Sequence, residues 1–98
     1  MTLTSKQRAY LKSLAMNIDP VVTVGKASLS PEVTASADEA LEARELIKIS
    51  VLKSVGEDPG VIAEMISSRT HSIIVQIIGR KIVLYREGIK DKKKIILP

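Results

Sequence analysis

The chain has 98 residues and a net charge of +4; its 45% apolar content is almost wholly aliphatic, with no Phe, Trp or Cys, and Tyr10 and Tyr85 as the only aromatics. That is enough for one domain and too few for two, with a core of Ile, Leu, Val and Ala that can fold without metal or disulfide; thiol catalysis, disulfides and thiolate metal sites are excluded. The N-terminus has no apolar h-region and no apolar run approaches the ~20 residues of a membrane span, so the expectation is a soluble, cytoplasmic protein, one domain over residues 1–98.

The first helix opens in "LTSKQRAYLKSLAMNI". Thr4 is a good N-cap and Gln7, three residues on, completes a capping box. Tyr10, Leu11, Leu14, Ala15 and Ile18 follow helical spacing, and Asp19-Pro20 stops the pattern. Val21 to Val24 reads as a short strand, followed by a loop from Gly25 to Leu29. Ser30-Pro31-Glu32 supplies an N-cap, a proline at the first helical position and an acid in the first turn. This second helix runs to about Arg44, with Val33, Ala37, Ala40 and Leu41 as its apolar stripe and Asp38, Glu39 and Glu42 on its wet side.

"ELIKISVL" alternates Ile47, Ile49 and Val51 with Lys48 and Ser50, a half-buried strand. Asp58-Pro59 starts a third helix carrying Val61, Ile62, Met65 and Ile66. "HSIIVQIIG" and "KIVLYR" are two strands joined by a tight hairpin at Gly79-Arg80. Residues 90–98 read either as a last short strand or as a tail. The order α-β-α-β-α-β-β predicts an α/β domain of two layers, a four-stranded mixed sheet with three helices, covered mainly on one face. "SIIVQII" is apolar on both alternate faces apart from Gln76, which requires either a central strand or cover on the second face.

The charges are segregated. Residues 1–26 carry four basic and one acidic residue, 27–64 three basic and eight acidic, and 65–98 eight basic and two acidic. Two basic ends that meet in space form the footprint of a polyanion binder. Catalytic sets are absent: His71 sits in a polar turn, the carboxylates of the second helix read as a solvated face, and no metal, dinucleotide or nucleophile-elbow motif occurs. Gly25-Lys26 lacks the rest of a P-loop. Two readings of it stand side by side. One is a backbone–phosphate contact, with glycine permitting close approach, Lys26 adding charge, Ser28 and Ser30 offering hydroxyls and a helix N-terminus behind. The other is a plain strand-to-helix turn.

"LTSKQRAYLKSLAMNIDPVVTVGKASLSPEV", "ALEARELIKISV" and "VQIIGRKIVLYR" together resemble the CRM domain in its stand-alone bacterial, YhbY-type form. The resemblance implies a four-stranded mixed sheet with three helices, similar to the C-terminal domain of the initiation factor that prevents subunit joining. It implies a non-catalytic, cofactor-free RNA binder acting on precursors of the large ribosomal subunit. The family's Gly-x-x-Gly loop falls on Gly25, Lys26, Ala27 and Ser28, with serine in place of the closing glycine. Arg8, Lys12, Lys48, Arg80, Lys81 and Arg86 are expected to extend the basic surface, on a monomer. The alternative is a module that binds a ribosomal protein or assembly factor through the acidic second helix.

Overall fold

A computed structural model describes residues 2–25, 29–89 and 95–98. The elements are α1 (Ser5–Ala15), β1 (Pro20–Val24), α2 (Pro31–Arg44), β2 (Leu46–Val51), α3 (Pro59–Thr70), β3 (Ile73–Ile78) and β4 (Lys81–Tyr85), in the order expected. Each helix starts where a side chain satisfies an orphan amide. Thr4 and Gln7 form the reciprocal box at 3.1 and 3.0 Å, Ser30 accepts from Val33 and Asp58 from Gly60. Helix α1 ends at Ala15, short of the Pro20 stop, because Asn17 and Ile18 bond to Leu14 and Ala15 in tighter three-residue turns. Among the described residues no helix is long and apolar enough to cross a membrane.

The strands form one mixed sheet in the order β1-β2-β4-β3, with β1 parallel to β2 and both other pairs antiparallel. The β3–β4 hairpin turns on Gly79 at φ +55°, followed by Arg80. This is the pattern of a II′ turn, whose first central position needs positive φ.

Helices α2 and α3 pack on one face, where Val22, Val24, Ile47, Ile49, Val51, Ile82 and Leu84 of the sheet meet Ala37, Leu41, Ile62 and Ile66. Val61 of α3, expected in the stripe, is 47% exposed. The expected four-stranded mixed sheet with three helices is the one that forms, and of the two options left open for the apolar strand the second holds. Strand β3 is an edge strand, so its second apolar face needs a cover, and α1 provides one. Leu11 and Ala15 pack there on Leu46, Val75, Val83 and Tyr85, with Ile95 and Leu97 from the chain's end beside them. Residues 95–98 are neither helix nor strand. They are tied down by Glu45, whose buried carboxylate accepts the backbone N–H of Gly88 and, at 2.6 Å, that of Ile95. Glu45 also ends α2 at φ +64°, a conformation rare for a residue with a Cβ, and those two bonds help to hold it.

Candidate nucleic-acid interface

Helix α1 covers only part of the second face. Across the sheet, Lys48, Val83 and Gln76 form one row and Ser50, Lys81 and Ile78 the next. The end of α1 meets the first of these rows and Ile78 of the second: Lys12, Ala15 and Met16 share a shallow depression with Lys48, Gln76, Val83 and Ile78. Beyond it the sheet is open. Lys81 donates to Ser50 at 3.2 Å, Ile78 is 56% exposed and Met16 80%. Lys12, Lys48 and Lys81 are therefore brought together on one surface, and no carboxylate lines its depression.

The arginines are placed differently. Arg8 donates from Nη1 to the carbonyls of Ile74 and Val75 at 2.8 and 2.7 Å, fastening α1 to the edge strand. Arg80 bonds the carbonyls of Val51, Leu52 and Val55 at 2.9, 2.7 and 3.3 Å, closing the hairpin tip onto the β2–α3 loop. Arg86 lies on the α2/α3 side. Its guanidinium meets Asp38 Oδ1 at 2.6 Å and Glu42 at 3.5 Å, with further bonds to the carbonyls of Thr70 and Asp38. One planar fork serving several oxygens is what guanidinium chemistry favours over ammonium. Arg86 thus lies apart from the lysine surface. It also engages two of the three carboxylates on which an acidic docking face on α2 would depend.

Gly25 stands at the end of β1 beside Leu52, close to the hairpin tip through Leu52 and Arg80. A Cβ there would meet Leu52 Cδ1 at 3.7 Å, an ordinary contact, and the backbone is not in the left-handed region. Packing among the described residues does not require glycine at this position. Lys26, Ala27 and Ser28 lie outside the described residues, as do Lys90, Lys92, Lys93 and Lys94. His71 caps α3 in the left-handed conformation at φ +55°. No cluster of His, Cys, Asp and Glu suited to a metal occurs among the described residues.

Sequence reasoning missed Lys53, an exposed lysine in the loop adjoining Leu52, and the part played by Met16, Gln76 and Ile78. The one legible signal was Gln76, the sole polar residue in an apolar strand.

The model of the CRS1 / YhbY (CRM) domain matches residues 3–86. "Probable RNA-binding protein YqeI" of Bacillus subtilis (strain 168) is 45% identical over 96 residues, covering 98% of this chain and 99% of its own. An "RNA-binding protein" of Haemophilus influenzae is 39% identical over 97 residues, with 99% and 96% covered. The solution structure of hypothetical protein SAV1595 from Staphylococcus aureus, provisionally assigned as RNA binding, superposes with a TM-score of 0.81 at 46% identity, covering 99% of this chain and 100% of that one. With the same three-helix, four-stranded architecture and a family match over most of its length, the chain belongs to the CRS1/YhbY (CRM) domain family.

Proposed function

We propose that this chain is a non-catalytic, cytoplasmic RNA-binding domain that contacts the ribosomal RNA of the large-subunit precursor during assembly, as a monomer. The observation that carries the reading is the open half of the second sheet face, where Lys12 and Lys48 line a depression with no carboxylate among its described residues and Lys81 stands in the next row beside Ser50. Lysines on a flat, partly aliphatic surface can neutralise phosphates while bases lie against Met16 and Ile78. The names carried by the relatives support RNA as the ligand class. The large-subunit precursor comes from the resemblance to YhbY-type proteins.

In this reading Gly25, at the end of β1, and Lys26, Ala27 and Ser28, which follow it in the sequence before α2, contact the RNA backbone. The glycine at 25 supports it: packing among the described residues tolerates a Cβ there, which leaves room for close approach by a ligand as the reason for glycine. Arg8, Arg80 and Arg86 serve by holding the frame.

The test is titration with fragments of large-subunit ribosomal RNA at low and moderate salt. Wild type should bind with strong salt dependence. Lys26→Glu should abolish binding, Ser28→Gly should bind as well or better, and Gly25→Ala should weaken binding while melting normally. Each of Lys12→Ala, Lys48→Ala and Lys81→Ala should lower the logarithmic salt slope by about 0.7 if the contacted strand is single. Binding that barely responds to salt, or to any of these changes, would overturn the reading.

A further inference from the structure

Strand β3 holds a single polar residue, Gln76. Strict alternation from Ile74, which packs on the α2/α3 face, would turn Gln76 onto that same apolar face. It does not lie there. The register shifts between Ile74, opposite Leu84, and Gln76, opposite Val83, leaving Val75 as an extra residue in the strand. A bulge of this kind re-aims a side chain. Val75 stays buried under α1, and Gln76 emerges in the depression on the open face that Lys12 and Lys48 also line. The two carbonyls that Arg8 grips are those of Ile74 and Val75, the bulge itself.

The result is a half-buried carboxamide that makes no hydrogen bond to any described residue. Two lysines line the same depression, Ala15 and Val83 contribute aliphatic surface, and Met16 and Ile78 are exposed beside them. The ligand that fits is flat, has a polar edge and is joined to anions. Aliphatic surface takes the face of a nucleobase, the amide takes its edge, and the lysines take the neighbouring phosphates. A base inside an A-form duplex cannot present its edge here, because the major groove is too deep and narrow for side chains. An amide's adjacent donor and acceptor match those of adenine.

Building on the RNA-binding reading, we propose that Gln76, turned onto the open sheet face by a β-bulge that Arg8 clamps, reads the edge of an unpaired adenine while Lys12 and Lys48 hold the flanking phosphates. Gln76 sets base preference and Arg8 is a positioning residue that acts through the bulge.

The experiment is anisotropy titration of labelled short oligo(A), oligo(C) and oligo(U), and of an A–U duplex, at two salt concentrations. Wild type should favour oligo(A) over the other strands and over the duplex by about tenfold. Gln76→Leu should erase that preference while keeping oligo(U) affinity, the salt slope and the melting temperature. Arg8→Ala should erase it too, and Arg8→Lys should restore part. Lys48→Ala should weaken all strands alike and flatten the salt slope. Equal binding of the three strands by wild type, tighter binding of the duplex, or a Gln76→Leu loss shared by all strands would overturn the proposal with RNA binding left intact. Failure of wild type to bind any oligomer or ribosomal fragment at low salt would instead remove the RNA-binding reading beneath it.

Discussion

On one face of the sheet, α2 packs over β1 and β2 and α3 over β3 and β4, and Ile47, Ile49, Ile82 and Leu84 are left with no exposed surface. On the other, the 11-residue α1 covers Leu46, Val75 and Tyr85 and ends where the rows of Lys48–Gln76 and Ser50–Lys81 begin. The same strands thus supply a closed face that holds the fold and a half-open one that offers cations to a ligand. Strand β2 makes the division residue by residue, since neighbours point to opposite faces.

The sharpest way to break this comparison uses two adjacent positions. Ile49→Ala opens a cavity under α2 and α3 and should lower stability by about 2–5 kcal/mol. Lys48→Ala, one residue away and on the open face, should change stability by no more than about 0.5 kcal/mol yet weaken RNA binding. Urea unfolding and RNA titration of both variants decide it. A stability loss from Lys48→Ala comparable to that from Ile49→Ala would mean the open face is a structural surface.

A second contrast sets Arg86 against Lys81. Removing the Arg86 guanidinium leaves the carbonyls of Thr70 and Asp38 and the Asp38 carboxylate short of a donor. Arg86→Ala should therefore lower stability by about 1–3 kcal/mol, while the folded variant binds RNA as wild type does. Lys81→Ala, which loses one 3.2 Å bond to Ser50, should show the reverse pattern. Loss of RNA affinity by folded Arg86→Ala would return Arg86 to the interface expected from sequence.

These pairs also mark what could be read in advance. The elements were legible because their ends carry local chemistry: Thr4 with Gln7, Ser30 with Pro31, Asp58 with Pro59, and Gly79 in the hairpin. The face chosen by α1 was not, because an amphipathic stripe states that a helix packs without stating where. Nor were the arginine partners, which are mostly backbone carbonyls between 16 and 67 positions away. Carbonyls exist at every residue, so no spacing betrays which ones a guanidinium will find. The bulge was hidden likewise, although Gln76 hinted at it by breaking an apolar run. Lysines 12, 48 and 81 could be placed together only once the strand register was known.

The smallest effect at neutral pH comes from the closed half of the second face. The Tyr85 hydroxyl is buried beneath α1 with no hydrogen-bond partner among the described residues. Burial, and then the negative charges of Glu45 and Glu87, push its pKa from 10.0 up to about 12. As pH rises from 10 toward 12, the unfolded chain releases this proton while the folded chain keeps it. The native state then binds more protons than the unfolded one, so stability falls with rising pH. The difference is fully developed above both values and vanishes well below pH 10. Lysines titrate in the same window, so the informative quantity is the difference between wild type and Tyr85→Phe in urea unfolding at pH 7 and pH 11. At pH 7 the variant should match wild type or exceed it by less than about 1 kcal/mol, because no hydrogen bond is lost. At pH 11 its advantage should grow. A variant distinctly less stable than wild type at pH 7 would mean that the hydroxyl has a partner after all, and that the cover α1 gives this half of the sheet is polar where it meets Tyr85.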